Sequence, residues 1–175
     1  MDEKQISPRG WLSDDAFGQV VAHTPLISLD FVVTNSEGEW LLGQRQNRPA
    51  QGYWFVPGGR VRKNEPLAAA AWRLTTEELG CPKVLVDMRF LGIYEHFYAD
   101  SVLAQDLSTH YVVLAYQCAL SLELESLPRQ QHDRYRWWTP SDIGRDASVH
   151  PYTQAYLPAV SALPPLNSHQ PKPFE

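Results

Sequence analysis

The residues with the plainest chemical purpose lie between Gly58 and Cys81. Glu65, Arg73, Glu77 and Glu78 stand there behind the glycine pair Gly58-Gly59 and before Gly80. Carboxylates offered at helical spacings of three and four can converge on one point, and such hard oxygen ligands suit Mg²⁺ or Mn²⁺ gripping a diphosphate. Taken alone, Arg73 and Glu77 would also make an ordinary solvated i,i+4 pair on an amphipathic helix. Two further groups invite chemistry. Asp30 is a carboxylate in an otherwise apolar run, which is costly unless it is wet or paired. His132 can take a proton from water near neutral pH as a neutral imidazole, although a histidine in a polar stretch is usually just exposed.

The stretch that must position the carboxylates reads as a loop feeding a helix. Gly58 and Gly59 let the backbone approach a ligand, Pro66 suits the first helical position, Ala68 to Ala71 drive helix, and Gly80 suits a left-handed stop. At about 100° per residue, Leu67, Ala70, Ala71 and Leu74 share one face. The apolar stripe therefore runs into Glu77 and Glu78.

Around that unit the pattern alternates helix and strand. Ser13 is an N-cap for a short helix carrying Phe17, Val20 and Val21. Leu26 to Thr34 is a strand, with Ile27, Leu29, Phe31 and Val33 on one face and Ser28, Asp30 and Val32 on the other. A turn at Asn35-Ser36-Glu37-Gly38 returns the chain along Glu39 to Gln44. If the face holding Asp30 opens on a site, the carboxylate has work to do; an exposed strand face explains it equally well. Val84 to Tyr98 and Thr109 to Cys118 are strand-rich and should pair antiparallel, with His110 and Tyr111 facing opposite sides. Tyr135 to Thr139 is a strand, which puts Gln131-His132-Asp133 in the loop at its mouth, where chemistry collects. A short helix follows from Ser141, and then one over Tyr152 to Ala162 in which Pro158 is an unfavourable interior residue.

The chain has 175 residues, 43% of them apolar, enough for one domain with a proper core. A single domain is expected over 13–163, with residues 1–12 mobile and the proline-rich 164–175 disordered. A net charge of −5 argues against a broad nucleic-acid surface but leaves room for a local basic pocket. No run is apolar enough for a membrane span, no signal-peptide core opens the chain, and a cytoplasmic protein without membrane partners is expected. Only Cys81 and Cys118 are present, so neither a disulfide framework nor a structural zinc is indicated.

Gly59, Glu65, Arg73, Glu77, Glu78 and Gly80 stand in the order and spacing of the Nudix box, and the chain resembles that superfamily. Most Nudix hydrolases carry a glutamate directly after the arginine, where this chain has Leu74 and then Thr75. Arg73-Leu74-Thr75, with the run Gly52 to Val61 upstream, resembles the altered box of the GDP-mannose mannosyl hydrolases, and the likeness extends from about Phe17 to Tyr156. The resemblance implies an α/β (α+β) fold, a Nudix-like α/β/α sandwich with a mixed sheet and the box loop-helix at 58–81. It implies Mg²⁺-dependent hydrolysis of GDP-mannose, with GDP-glucose an alternative, by water attack at the anomeric carbon.

What the resemblance implies residue by residue follows from that. Arg45 and Arg60 clamp the diphosphate, a role to which the planar guanidinium fork is suited. Phe17 stacks on the guanine, unless it simply anchors its helix. Asp30 binds a sugar hydroxyl or a catalytic arginine, and His96 and Tyr111 contact the sugar or the diphosphate. The metal is held by the Gly58 carbonyl, Glu78 and Gln131, with Glu77 a further candidate, while His132 is the general base. A homodimer is implied as well. Two other readings stay open: a Nudix pyrophosphohydrolase that attacks phosphorus, kept alive by Glu77 beside Glu78, and a catalytically silent nucleotide-sugar sensor.

Overall fold

The structure is a computed structural model that describes residues 12–130 and 132–164. Residues 1–11, 131 and 165–175 lie outside the described residues, and with them most of both expected mobile ends and the metal-ligand candidate Gln131.

The sheet is built on β1 (Leu26–Thr34), which runs parallel to β6 (Thr109–Ala119) over its whole length, from Leu26 opposite Tyr111 to Thr34 opposite Ala119. On its other side β1 has two partners. Its far end meets β2 (Trp40–Arg45) only at Thr34 and Trp40, while β4 (Gly58–Arg60) pairs antiparallel with Ser28, Leu29 and Asp30. β3 (Trp54–Phe55) and β7 (His132–Trp138) both pair with β2, and β5 (Arg89–Tyr98) pairs antiparallel with β6 at the opposite edge. The sheet is mixed.

Helices cover both faces. α2 (Leu67–Leu79) packs Ala70, Ala71 and Leu74 against Leu29, Phe31 and Val33. Val32, the residue between Phe31 and Val33, joins Trp40, Leu42, Phe55 and Trp138 on the other side with Ile143 and Tyr156. Those last two come from the C-terminal segment, which holds α3 (Pro140–Arg145), α4 (Pro151–Gln154) and α5 (Leu157–Ser161). This is the α/β/α sandwich, and it explains why β1 is buried on both faces instead of one. Ile27 is its exposed exception.

Local signals set most boundaries. α1 (Asp14–His23) begins where the Ser13 hydroxyl accepts from the Ala16 amide, and α2 ends where Gly80 takes φ 64°. Three details differ from the sequence expectation. Pro66 stands at the N-cap position just outside α2, and Leu67 in the first turn is exposed instead of joining the buried stripe. The single helix expected over Tyr152 to Ala162 is two, because Pro158 falls in the first turn of α5, where its missing N–H costs nothing. And β7 begins at His132, three residues earlier than expected. No helix among the described residues is long and apolar enough to cross a membrane.

Candidate active site

A cavity of ≈ 390 Å³ opens where β1, β4, β5 and β6 meet the loops after β2 and β5. Its wall includes Phe17, Asp30, Arg45, Gly58, Arg60, Glu77, His96 and Tyr111, brought together from across the chain.

Asp30 lies opposite Gly58 in the β1–β4 ladder and is buried. A Cβ on Gly58 would come 2.7 Å from Asp30 Oδ1 and 2.5 Å from the Leu29 carbonyl oxygen, so this strand pair closes only on glycine. The Tyr156 hydroxyl donates to Asp30 Oδ2 at 2.7 Å. Burial pushes the Asp30 carboxyl up to about 6, against the opposing pull of the Tyr156 hydrogen bond and the Arg45 charge. The exposed-strand explanation for Asp30 does not hold.

His96, on β5, is also buried, with Nε2 3.2 Å from the Tyr156 hydroxyl. Burial, with the neighbouring His150 adding to it, lowers its pKa to about 3, so the imidazole is neutral. Tyr111 faces the cavity while His110, on the opposite side of β6, stacks on Phe97 at 4.4 Å, as the strand alternation requires.

Arg45 ends β2 at a register shift between Gln44 and Arg45, and its Nε donates to the Pro49 carbonyl at 2.8 Å. A bulge re-aims a side chain, here into the cavity. Arg60 ends β4 with its guanidinium 4.1 Å from the centre of the Phe17 ring. The arginine covers a face of the aromatic that would stack on a base, so the two assignments meet at one cation–π contact.

In the box, Arg73 is the tie. It donates to Glu65 through Nε at 2.6 Å and Nη2 at 2.8 Å, to Glu77 through Nη1 at 2.9 Å, and to the Arg60 carbonyl at 3.0 Å. The helix is thereby bolted to the loop in front of it. Glu77 is half exposed and also meets Arg62 at 3.4 Å, whereas Glu78 is buried. One residue apart on a helix, the two carboxylates leave it about 100° apart, Glu77 in the cavity wall and Glu78 buried beside it. Leu74 is buried beside Gly59, where a Cβ would lie 2.5 Å from Leu74 Cδ2.

Glu78 meets His132 instead. Glu78 Oε2 lies 3.4 Å from His132 Nδ1, with exposures of 2% and 1%, and neither residue lines the cavity. His132 was expected in a loop; it is the first residue of β7, its ring packed over Gly43 so closely that a Cβ there would come 2.5 Å from His132 Cδ2 and Cγ. Strand pairing with Arg45 across β2 accounts for the burial. The Tyr135 hydroxyl, which donates to the Pro128 carbonyl at 2.8 Å, also lies 3.4 Å from His132 Nδ1. Both Glu78 Oε2 and His132 Nε2 are buried polar atoms without a hydrogen-bond partner. Such atoms are costly unless something else uses them. A carboxylate oxygen in that state is a fit donor for a hard divalent cation, and the Gly58 carbonyl belongs to the neighbouring β4. Among the described residues no three histidine, cysteine, aspartate or glutamate side chains gather into a metal-binding group, so backbone or amide oxygens would have to complete the set.

Sequence reasoning missed Tyr156 and Gly43. Tyr156 reaches Asp30 across 126 residues, beyond any local spacing. Gly43 could have been noticed, since a glycine inside a strand often marks close approach by another group.

The sequence pattern of the NUDIX domain matches residues 24–160. The chain is similar to the low-salt glycan biosynthesis protein Agl8 of Haloferax volcanii, 40% identical over 87% of this chain and 93% of that protein. Its fold is similar to that of a MutT protein from Methanosarcina mazei Go1, with TM-score 0.66 and 21% identity over 80% of this chain and 96% of the other. It is also similar to the NUDIX domain of Shewanella oneidensis NrtR in complex with ADP ribose, with TM-score 0.62 and 18% identity over 93% and 98%.

Proposed function

The chain belongs to the Nudix family as a Nudix hydrolase, and on that premise we propose that it hydrolyses GDP-mannose, with GDP-glucose as an alternative substrate, to GDP and the free sugar. Water attacks the anomeric carbon with inversion, the bond from that carbon to the β-phosphate oxygen breaks, and GDP leaves with its electron pair. The glycan-biosynthesis name of the Haloferax volcanii relative supports a sugar-nucleotide setting.

The observation that carries the reading is the buried pair of His132 and Glu78 in a box whose expected second glutamate is Leu74. A leucine cannot serve metal-centred attack on phosphorus, whereas an imidazole is a base suited to water. The Tyr135 hydroxyl, its hydrogen given to the Pro128 carbonyl, can only accept from Nδ1, which favours hydrogen on that nitrogen. The lone pair is thereby left on the unpartnered Nε2 for the proton of an attacking water that must reach this buried atom from the neighbouring cavity. Arg45 and Arg60 hold the diphosphate, and their charge favours the anion that forms as GDP departs. Asp30, His96 and Tyr111 hold the sugar end and the diphosphate beside it, and Phe17 stacks on the guanine once Arg60 has turned to phosphate. The Gly58 carbonyl, Glu78 and Gln131 would hold Mg²⁺ or Mn²⁺, with Glu77 as a further candidate; a bound cation neutralises charge on the leaving diphosphate. A homodimer acting in the cytoplasm completes the reading, with Phe90, Ile93 and Phe97 exposed on the edge strand β5 as apolar surface for a second copy.

Hydrolysis of GDP-mannose in ¹⁸O-water with Mg²⁺ tests it. Labelled mannose and unlabelled GDP are expected. GMP and mannose 1-phosphate, with label on a phosphate, would replace carbon attack by the pyrophosphohydrolase reaction.

A further inference from the structure

Two tyrosines of the C-terminal segment, Tyr152 and Tyr156, pack against the cavity-lining His96 from behind. Tyr152 lays its ring on the imidazole at 4.1 Å and 2° between planes, and its hydroxyl bonds both the Phe97 amide and the Phe97 carbonyl at 2.8 Å. Tyr156 is fully buried, with its hydroxyl 2.7 Å from Asp30 Oδ2 and 3.2 Å from His96 Nε2. One ring fixes the plane of the imidazole and the other fixes its rotation within that plane.

A phenol has one hydrogen to give. A carboxylate has none, so the shorter contact takes it: Tyr156 donates to Asp30. The same phenol oxygen can then only accept from His96, and Nε2 must carry the imidazole hydrogen. We propose that Tyr156 is a positioning residue that holds His96 as the Nε2-protonated tautomer and aims the carboxylate of Asp30. The polar atoms left over on these two cavity-lining residues, Nδ1 of His96 and Oδ1 of Asp30, are then both acceptors. Two neighbouring acceptors suit two donating hydroxyls, as on a neutral sugar, and oppose a sugar that carries its own carboxylate. The sugar in this statement rests on the proposed hydrolysis; the tautomer does not.

The test uses the full chain labelled with ¹⁵N-histidine, and long-range ¹H–¹⁵N spectra at neutral pH, with His96→Asn to assign the His96 signals. Nε2 is expected to be the protonated nitrogen in the natural sequence. Tyr156→Phe, isosteric but without donor or acceptor, should turn that single tautomer into a mixture, whereas Tyr152→Phe, which keeps the stacked ring, should leave it unchanged. In kinetics, Tyr156→Phe should raise KM for GDP-mannose about tenfold, the scale of one charged hydrogen bond, while inhibition by GDP, which lacks the sugar, stays within about twofold. Hydrogen on Nδ1 in the natural sequence, or a tautomer indifferent to Tyr156→Phe, overturns the proposal. So does a variant in which KM and the GDP inhibition constant rise together. The expected spectra without any turnover of GDP-sugars would sink the hydrolysis reading alone.

Discussion

His132 Nδ1 stands 3.4 Å from Glu78 Oε2, deep between the box helix and the sheet. The pair joins the group proposed as base to the group proposed as metal ligand, so the two roles can be separated only by changing one side chain at a time. His132→Ala should lower kcat by ~10²–10⁴ and leave GDP-mannose binding nearly intact, because a base acts on the attacking water and not on the nucleotide. Steady-state kinetics beside calorimetric binding reads both quantities. A natural rate in the variant would move the base elsewhere.

Glu78→Gln keeps the shape and removes the charge. It should raise the Mg²⁺ concentration needed for half-maximal rate and sharply reduce turnover at limiting metal, since a neutral amide is a weaker ligand for a hard cation. A metal titration of the rate decides it, and an unchanged curve would end the assignment of Glu78 to the metal.

Much of this layout was legible in the sequence. β1, the Ser13 cap, the Gly80 stop and the α2 stripe from Ala70 to Leu74 follow from local rules, and so does the separation of His110 from Tyr111. What was not legible depends on partners distant in the chain. The burial of Asp30 is satisfied by Tyr156, the burial of His132 by pairing with β2, and Glu77 and Glu78 part company because Arg62 and Arg73 hold one while the sheet covers the other. Local periodicity places side chains on a face and says nothing of what stands opposite.

The Asp30 carboxyl gives a pH signature in the metal-free protein. Its pKa rises from 3.8 unfolded to about 6 folded, so its contribution to stability is fully present below pH 3.8 and is lost as pH rises through about 6. That rise corresponds to about 3 kcal/mol. His96 and His150, with folded pKa values lowered to about 3 and about 4, act in the opposite sense as pH falls from 6.5, but they are common to both proteins and cancel in a comparison. Relative to the natural sequence, Asp30→Asn should therefore be less stable near pH 4 and regain ground by pH 7. Urea unfolding at the two pH values measures this, and a constant difference would show that Asp30 does not titrate in this window.

Arg73 ties Glu65, Glu77 and the Arg60 carbonyl to one guanidinium. Arg73→Lys cannot reproduce that fork and should lower stability by about 1–3 kcal/mol at neutral pH. The loss has its own pH dependence. The Arg73 hydrogen bond holds the Glu65 carboxyl below its usual 4.5, so the stabilisation is present above that value and fades as pH falls through the lower folded one. The gap between variant and natural protein should narrow in acid, and thermal unfolding from pH 7 down to pH 3 would reveal a gap that does not.

Gly43 offers a way to move His132 without touching it. A methyl group there would stand 2.5 Å from His132 Cδ2 and Cγ, a distance at which the ring must shift because Gly43 sits in the middle of β2, paired with Tyr135 of β7. Overpacking of this kind costs about 1–3 kcal/mol, less than the fold can lose before it fails. Gly43→Ala should then retain a cooperative unfolding transition and the binding of GDP, yet approach His132→Ala in turnover, because a base displaced by even an ångström no longer meets its water. Combining the two changes distinguishes position from packing: if Gly43→Ala acts through His132, the double variant turns over no more slowly than His132→Ala alone. A further loss in the double variant would mean that the methyl group disturbs something other than the imidazole.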